Sequence, residues 1–375
     1  MQIFQHKITR FDEVDLLDIP FEPNVLFLFV SPQFPDTEKV VSYLHSRYSE
    51  SEIFGCSTAG EIIGNEVVDA SAILTAVSFE KTRLRSASVE LNDQCKNCAD
   101  AGTQISSQLA GDDLRHIFVL SDGLHVNGAE LVKGLRAQVD KSVSITGGLA
   151  ADGDQFKETF VIHNGKVSTK KIVALGLYGK DLKVGFGSKG GWDSFGIERR
   201  VTKSDYNVLY ELDGQPALEL YKSFLGDKAK DLPGSGLLFP LSMRDEINQT
   251  PVVRTILAVN EEDNSLTFAG NIPQDSYVRL MKANIDRIID GAEQSAIITT
   301  EDTDHQHELA FLISCVGRRL VMKQLVEEEV EAVNEVLGDG VYTTGFYSYG
   351  EIAPHDKFTP CALHNQTMTI TTFAE

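Results

Sequence analysis

The sequence predicts an α/β fold of mixed β-sheets with packed helices, built from duplicated strand–helix–strand units that end in glycine turns. Two turns of one kind, Gly55-Cys56-Ser57-Thr58-Ala59-Gly60-Glu61-Ile62 and Gly345-Phe346-Tyr347-Ser348-Tyr349-Gly350-Glu351-Ile352, stand near opposite ends of the chain. Each follows an apolar strand-like run, a helical stretch and a second short strand: Asn24 to Val30, Asp36 to Tyr48 and Glu52 to Phe54 in one copy, Glu308 to Ser314, Leu320 to Val336 and Val341 to Thr343 in the other. A degenerate third copy lies between them. It runs through Ile117 to Leu120, Ser121-Asp122-Gly123, a helix over Gly128 to Val139 and Val143 to Thr146, and closes in Gly147-Gly148-Leu149-Ala150-Ala151-Asp152-Gly153. Three such units imply a duplicated β/α architecture.

The remaining elements follow in order. After the first turn, Ala72 to Phe79 and Leu84 to Leu91 read as strands, the first apolar enough to be buried on both faces. They are expected to add antiparallel neighbours to the first unit. A helix over Asp100 to Leu109 precedes the middle copy. Beyond Gly153, Thr159 to Ile162 and Lys166 to Ser168 flank an Asn164-Gly165 turn suited to a hairpin, and Ile172 to Tyr178 and Leu182 to Gly187 continue the sheet. Pro216 fits the first turn of a helix through Leu218 to Leu225, so the expected division is residues 1–215 and 216–375. The second half adds strands at Val252 to Val259 and Ser265 to Ala269, a helix from Asp275 to Ala292 and a polar loop from Gln294 to Gln306.

The chain has 375 residues, enough for two domains, and a formal net charge of −21. That charge argues against a nucleic-acid-binding surface and against docking on an anionic membrane. Part of it is local: Glu327, Glu328, Glu329, Glu331 and Glu335 read as the solvated face of a helix. The first ten residues carry no apolar signal segment and Val25 to Val30 is too short to span a bilayer, so the expected location is cytoplasmic without membrane insertion. Five cysteines fit reduced thiols, and Cys95-Lys96-Asn97-Cys98, without a second pair, reads as two free thiols rather than a zinc site.

Glycine at a strand end lets a ligand or another backbone approach, and the adjoining hydroxyl, thiol and carboxylate groups supply donors and acceptors. The same turn also serves structure alone, as a bulge whose Ser and Thr satisfy local backbone. Candidate ligand-binding residues are therefore Cys56, Ser57, Thr58, Glu61, Gly147, Gly148, Asp152, Tyr347, Ser348 and Glu351. Arg318, after a strand end, is either an anion-binding guanidinium or a partner of the acidic helix behind it. An enzyme using Cys56, Ser57 or Thr58 as nucleophile is an alternative, without a Gly-x-Ser-x-Gly elbow or a local histidine to support it.

Together with the Leu209 to Ala217 segment and Gly317-Arg318-Arg319, these glycine turns resemble the signatures of FIST-domain proteins, as an N-terminal module followed by a C-terminal one. The resemblance implies a small-ligand sensor of bacterial signal transduction without catalysis. Some members similar to this arrangement bind haem and sense nitric oxide, altering a partner histidine kinase. The alternative reading takes amino acids or related small anionic metabolites as ligands. A haem b would be held noncovalently, since no Cys-x-x-Cys-His is present, with His355 the first candidate axial ligand and His125 the second. His163 in a hairpin, and His305 and His307 in a polar loop, read as solvated.

Overall fold

The strand Val25–Val30 is buried at every position, as its unbroken apolar sequence requires of a parallel strand covered on both faces. It pairs in parallel with Glu52–Ser57 across the helix Thr37–Arg47. Leu114–Ser121 with Ser144–Leu149, and Leu309–Cys315 with Tyr342–Ser348, repeat that arrangement, so the degenerate middle copy is a full third unit. The structure is a computed structural model, and it describes residues 1–91, 98–244, 251–301 and 306–375.

Each parallel pair sits inside a six-stranded sheet. Two antiparallel strands flank it on one side: Gln2–Ile8 and Ala72–Ser78 in the first unit, Arg83–Glu90 and Lys171–Tyr178 in the second, Lys183–Lys189 and Met368–Ala374 in the third. A hairpin borrowed from another unit completes the other side. The hairpin after the first turn, Glu61–Ile63 and Glu66–Val68, joins the third sheet. Val161–His163 and Lys166–Ser168, after the second turn, join the first. Gly350–Ala353 and Ala362–His364, after the third, join the second. The exchange is cyclic.

The register shows what the glycines are for. Gly55, Gly147 and Gly345 lie opposite Leu28, Val119 and Leu312 in the parallel pairs, and opposite Ile162, Ile352 and Ile62 of the borrowed hairpins. A Cβ at these positions would sit 1.9, 1.8 and 1.8 Å from the carbonyl oxygens of Leu28, Val119 and Leu312. One residue earlier on the partner strands stand Phe27, Phe118 and Phe311. Their rings meet at centroid distances of 5.9, 4.7 and 4.9 Å and form the hub of the molecule.

Between Lys183–Lys189 and Leu309–Cys315 the third unit carries an insertion, a nine-stranded sheet from Asp193–Ser194 to Tyr277–Lys282. The helix Ala217–Leu225 packs on it around Val201, Leu209, Leu218, Tyr221 and Phe268. The expected division at 215/216 falls in the short strand Gln215–Pro216, which pairs with Val208–Leu212 of this same sheet.

Several local expectations change. Leu84 to Leu91 does not extend the first sheet; Arg83–Glu90 edges the second. Residues from Asp275 on are not one helix: Val278 and Leu280 alternate inward in the strand Tyr277–Lys282, and Asn284 caps the helix Ile285–Thr300. That helix occupies most of the expected polar loop. Leu320 to Val336 divides into Val316–Met322 and Val326–Leu337 at Lys323, whose φ is +54°. The Val252 strand breaks into Val252–Arg254 and Ile256–Asn260. Cys98 is buried in the helix Cys98–Leu109, whereas Cys95 and His305 lie outside the described residues.

Candidate ligand cleft

The three glycine turns do come together, but they bind one another. Ala59 N–H donates to Tyr347 O at 2.8 Å and Tyr347 N–H to Gly60 O at 2.9 Å, while Ala151 N–H donates to Ser57 O at 3.0 Å. Their polar side chains are spent internally. Ser57 Oγ accepts from Phe160 N–H at 3.1 Å, and the Cys56 thiol, pushed well up by burial, lies in the aromatic core, where no nucleophile could meet a substrate. Gly147 and Gly148 hold the register with Gly350–Ala353.

Two carboxyls are fully buried in this junction. Glu61 accepts from the hydroxyls of Thr58 and Ser71, and Glu351 from Ser348 Oγ at 2.8 Å and from the backbone and hydroxyl of Thr367 at 3.2 and 3.0 Å. Burial raises both to about 8, so both are protonated in the fold at neutral pH. In the unfolded chain they ionise near 4.5, the ordinary value. Between those values the folded state holds more protons than the unfolded one, so stability falls as pH rises from about 4.5 to about 8 and levels off above. Each group contributes a slope of at most about 1.4 kcal/mol per pH unit. Urea midpoints measured from pH 7 to 8.5, above the range where the buried histidines oppose the trend, are expected to fall for the native chain and to flatten in Glu61→Gln/Glu351→Gln; parallel curves for the two would remove these carboxyls from the account.

Arg318 is not a ligand-binding cation. It is fully buried, with Nε 2.9 Å from Glu329 Oε2, and its other nitrogens donate to the carbonyls of Gly190 and Ile288. Glu329, expected on the solvated face, is equally buried and also accepts from Tyr347 Oη at 2.7 Å and Ser314 Oγ at 3.0 Å. Its place one residue before buried Val330, and three after Val326, marks it as belonging to the inner face of the helix.

The open site lies beside the second turn. Asp122 ends the strand Leu114–Ser121 and accepts from the backbone N–H groups of Leu124 and His125, both at 2.8 Å, and of Lys170 at 3.0 Å. Its Oδ1 also holds His125 Nδ1 at 3.0 Å, which leaves Nε2 as the outward nitrogen of that ring. Asp152 accepts from the N–H groups of Phe156, Lys157 and Glu158 and from the Tyr349 hydroxyl, clamping the loop so that the Phe156 ring stacks on Tyr349 at 4.7 Å. His125, Asn127, Phe156 and Tyr349 form one wall of a cleft of about 530 Å³. Tyr206, Asn207, Leu257 and Phe268 of the nine-stranded sheet form the other, with Asp205 at the rim. Asn127 and Glu130 tie the walls together through Asn271 at 2.7 and 2.9 Å.

The FIST N domain matches residues 24–215, and the FIST C domain residues 217–354. The chain belongs to the FIST family. FIST domains are small-ligand sensing modules of signal transduction. An uncharacterized protein of Methanocaldococcus jannaschii is 27% identical over 328 residues, 80% of this chain, and the match spans 60% of that relative's length. Among solved structures, a chorismatase is 8% identical with a TM-score of 0.36, covering 100% of this chain and 98% of that one. A cyanuric acid hydrolase from A. caulinodans is 10% identical with a TM-score of 0.35, covering 99% of this chain and 98% of that one. No helix among the described residues of this FIST protein is long and apolar enough to cross a membrane.

Of the residues expected at a FIST ligand site, only His125 lines the cleft directly, and Asp152 shapes it through Tyr349. Cys56, Ser57, Thr58, Glu61, Tyr347, Ser348 and Glu351 are buried in the turn junction instead. His355 is packed away from the cleft, its Nδ1 3.2 Å from Ser188 O and its ring edge-on to His364 at 4.3 Å; burial lowers its pKa. His163 is half-buried against Ser86 and His307 is buried, so neither is solvated as expected. The cleft residues of the nine-stranded sheet carry no motif. Their sole local sign is the turn at Tyr206, with φ of +48°.

Proposed function

We propose that this FIST protein is a sensor whose small ligand occupies the cleft between the three-sheet body and the nine-stranded sheet. The observation that carries the reading is the double lining: a molecule seated there touches His125, Phe156 and Tyr349 on one side and Tyr206, Asn207 and Leu257 on the other. A ligand that prefers one spacing of the two walls shifts the population toward it. The state is then read by a separate signalling protein, a histidine kinase being the class that the family resemblance implies, in a cytoplasmic setting.

Haem remains the specific candidate, with nitric oxide as the signal, and His125 replaces His355 as its axial ligand. An imidazole whose Nδ1 is fixed by a carboxylate, as Asp122 fixes this one, is the usual arrangement of a metal-binding histidine. Bound iron would supply an open coordination position for the gas. No Arg or Lys lines the cleft, so haem propionates would face solvent there, and an amino acid would place its ammonium toward Asp205.

The test is thermal melting with haem and an amino-acid panel, together with Soret titration, on the native chain, Leu257→Trp, His125→Ala and His355→Ala. Leu257 is 42% exposed, so tryptophan there fills the cleft without entering the core. A ligand of the cleft at a hundredfold excess over its Kd adds about 2.7 kcal/mol to the native chain and nothing to Leu257→Trp. A saturable Soret shift lost in His125→Ala and kept in His355→Ala would identify the axial nitrogen. Equal stabilisation of the native chain and Leu257→Trp would place the ligand elsewhere.

A further inference from the structure

A second concavity, of about 930 Å³, opens on a different part of the molecule. Its floor is apolar: Ile145 at the start of the second unit's inner strand, and Leu182, Val184 and Phe186 on and before the strand Lys183–Lys189, which edges the third sheet. The segment from Pro354 to Cys361, linking the two strands of the borrowed hairpin, closes one side and carries Phe358, which is 84% exposed. The rim is cationic. Arg115, Arg136, Lys141 and Lys357 line it, and no Asp or Glu does, in a chain whose net charge is −21.

Arg136 is held in position by its own loop, Nη1 donating to Val143 O at 2.6 Å and Nη2 to Asp140 O at 3.1 Å. Both acceptors are neutral carbonyls, the Asp140 carboxylate acts on the guanidinium only at a distance, and the fork keeps further N–H donors. The side chains of Arg115 and Lys141 are exposed and form no hydrogen bond or ion pair among the described residues, acting only at a distance on Asp113 and Asp140. Those carboxylates are engaged elsewhere, Asp113 with Arg83 at 2.9 Å and Asp140 with the backbone and hydroxyl of Ser142. An apolar trough under a cationic rim is complementary to a molecule with an apolar body and one anionic head.

We propose that this groove is a second ligand site, distinct from the cleft, and that it takes amphipathic anions of the acyl- or aryl-carboxylate class. The apolar body lies along Leu182, Val184 and Phe186, and the head is held by Arg136 with Arg115 and Lys141. Occupation would touch the second and third units at once.

The experiment uses the full chain and 8-anilinonaphthalene-1-sulfonate, an aryl anion that fluoresces when shielded from water, with decanoate, decanol and inorganic phosphate as competitors. The variants are Arg115→Glu/Lys141→Glu, whose native side chains make no hydrogen bond among the described residues, and Lys222→Glu/Lys230→Glu, an equal charge change on the helical segments packed on the nine-stranded sheet. Probe affinity is expected to fall about tenfold or more in the first, the worth of lost charge-assisted contacts, and to hold in the second. Decanoate should displace the probe at concentrations where decanol and phosphate do not. Equal loss in both variants would reduce the effect to overall charge, and equal potency of decanol would reduce it to apolar contact; either overturns the proposal. Probe binding abolished by Leu257→Trp instead would assign it to the cleft and overturn the groove while leaving the cleft reading intact.

Discussion

Gly345→Ala is expected to prevent folding, or to cost more than about 4 kcal/mol, because no relaxation of a side chain can accommodate it. The added methyl would lie 1.8 Å from Leu312 O, a backbone atom in the centre of the third sheet. Separating the strands there would also lift Ile62 from its pairing with Gly345 and displace Phe346 from the aromatic hub, where its ring is 4.8 Å from that of Phe29. Gly55→Ala and Gly147→Ala meet the same obstacle and should behave alike. Gly214→Ala is the control: its φ is +77° with open space around it, so the expected cost is the roughly 1–2 kcal/mol of the backbone conformation alone. Soluble yield and urea midpoints for the four variants decide the matter. A Gly345→Ala protein as stable as Gly214→Ala would mean that the strands are not in this contact.

Glu329→Leu is expected to cost about 3–5 kcal/mol, the penalty of leaving a fully buried guanidinium without its counter-charge. Arg318 would keep only the carbonyls of Gly190 and Ile288, and the Tyr347 and Ser314 hydroxyls would lose their shared acceptor. Arg318→Met/Glu329→Leu should recover part of the loss, because it removes both charges together. The fluorescence of Trp192, the chain's one tryptophan, reads this region directly. Its indole N–H donates to Gln366 O at 2.9 Å, two residues from the carbonyl that Arg318 holds. In Glu329→Leu its emission should move to the red at denaturant concentrations below the loss of helical circular dichroism. Coincident transitions would show that Arg318 does not fasten this junction locally. A double variant no more stable than Glu329→Leu would deny the pairing its energetic role.

The strand–helix–strand units were legible because their strands are continuous apolar runs and their ends are glycines, both short-range signals. The exchange of hairpins was not, since nothing in Glu61-Ile62 or Glu351-Ile352 says which glycine each isoleucine will face. In the middle unit the same role falls to Val161-Ile162, beyond an insertion that begins near Asp152. Val161 holds the pairing position there, and Asp152 has become a loop clamp. The turns were read as a pocket for a related reason. Hydroxyls and a carboxylate near glycine look the same whether they await a ligand or saturate each other, and only the tertiary contact of the turns distinguishes the two cases. His125 was visible because it follows Asp122 in a short loop. Its partners across the cleft, Tyr206, Asn207 and Leu257, lie on an insertion whose docking depends on Asn271 and Arg254, side chains without a sequence pattern.

The cyclic sharing of hairpins also governs how the chain can be assembled during synthesis. The first sheet awaits Val161–Ser168, the second awaits Gly350–His364, and the third receives its outer strands from Glu61–Val68, made long before Leu309–Cys315 exists. None of the three sheets can therefore be closed by residues of its own neighbourhood, and each early one spends time with a bare edge. A nascent chain of this design is exposed to intermolecular strand capture until its last unit emerges. The first edge can be covered once Val161–Ser168 is made; the second and third sheets close, and Tyr349 reaches the cleft beside the second turn, only with that last unit.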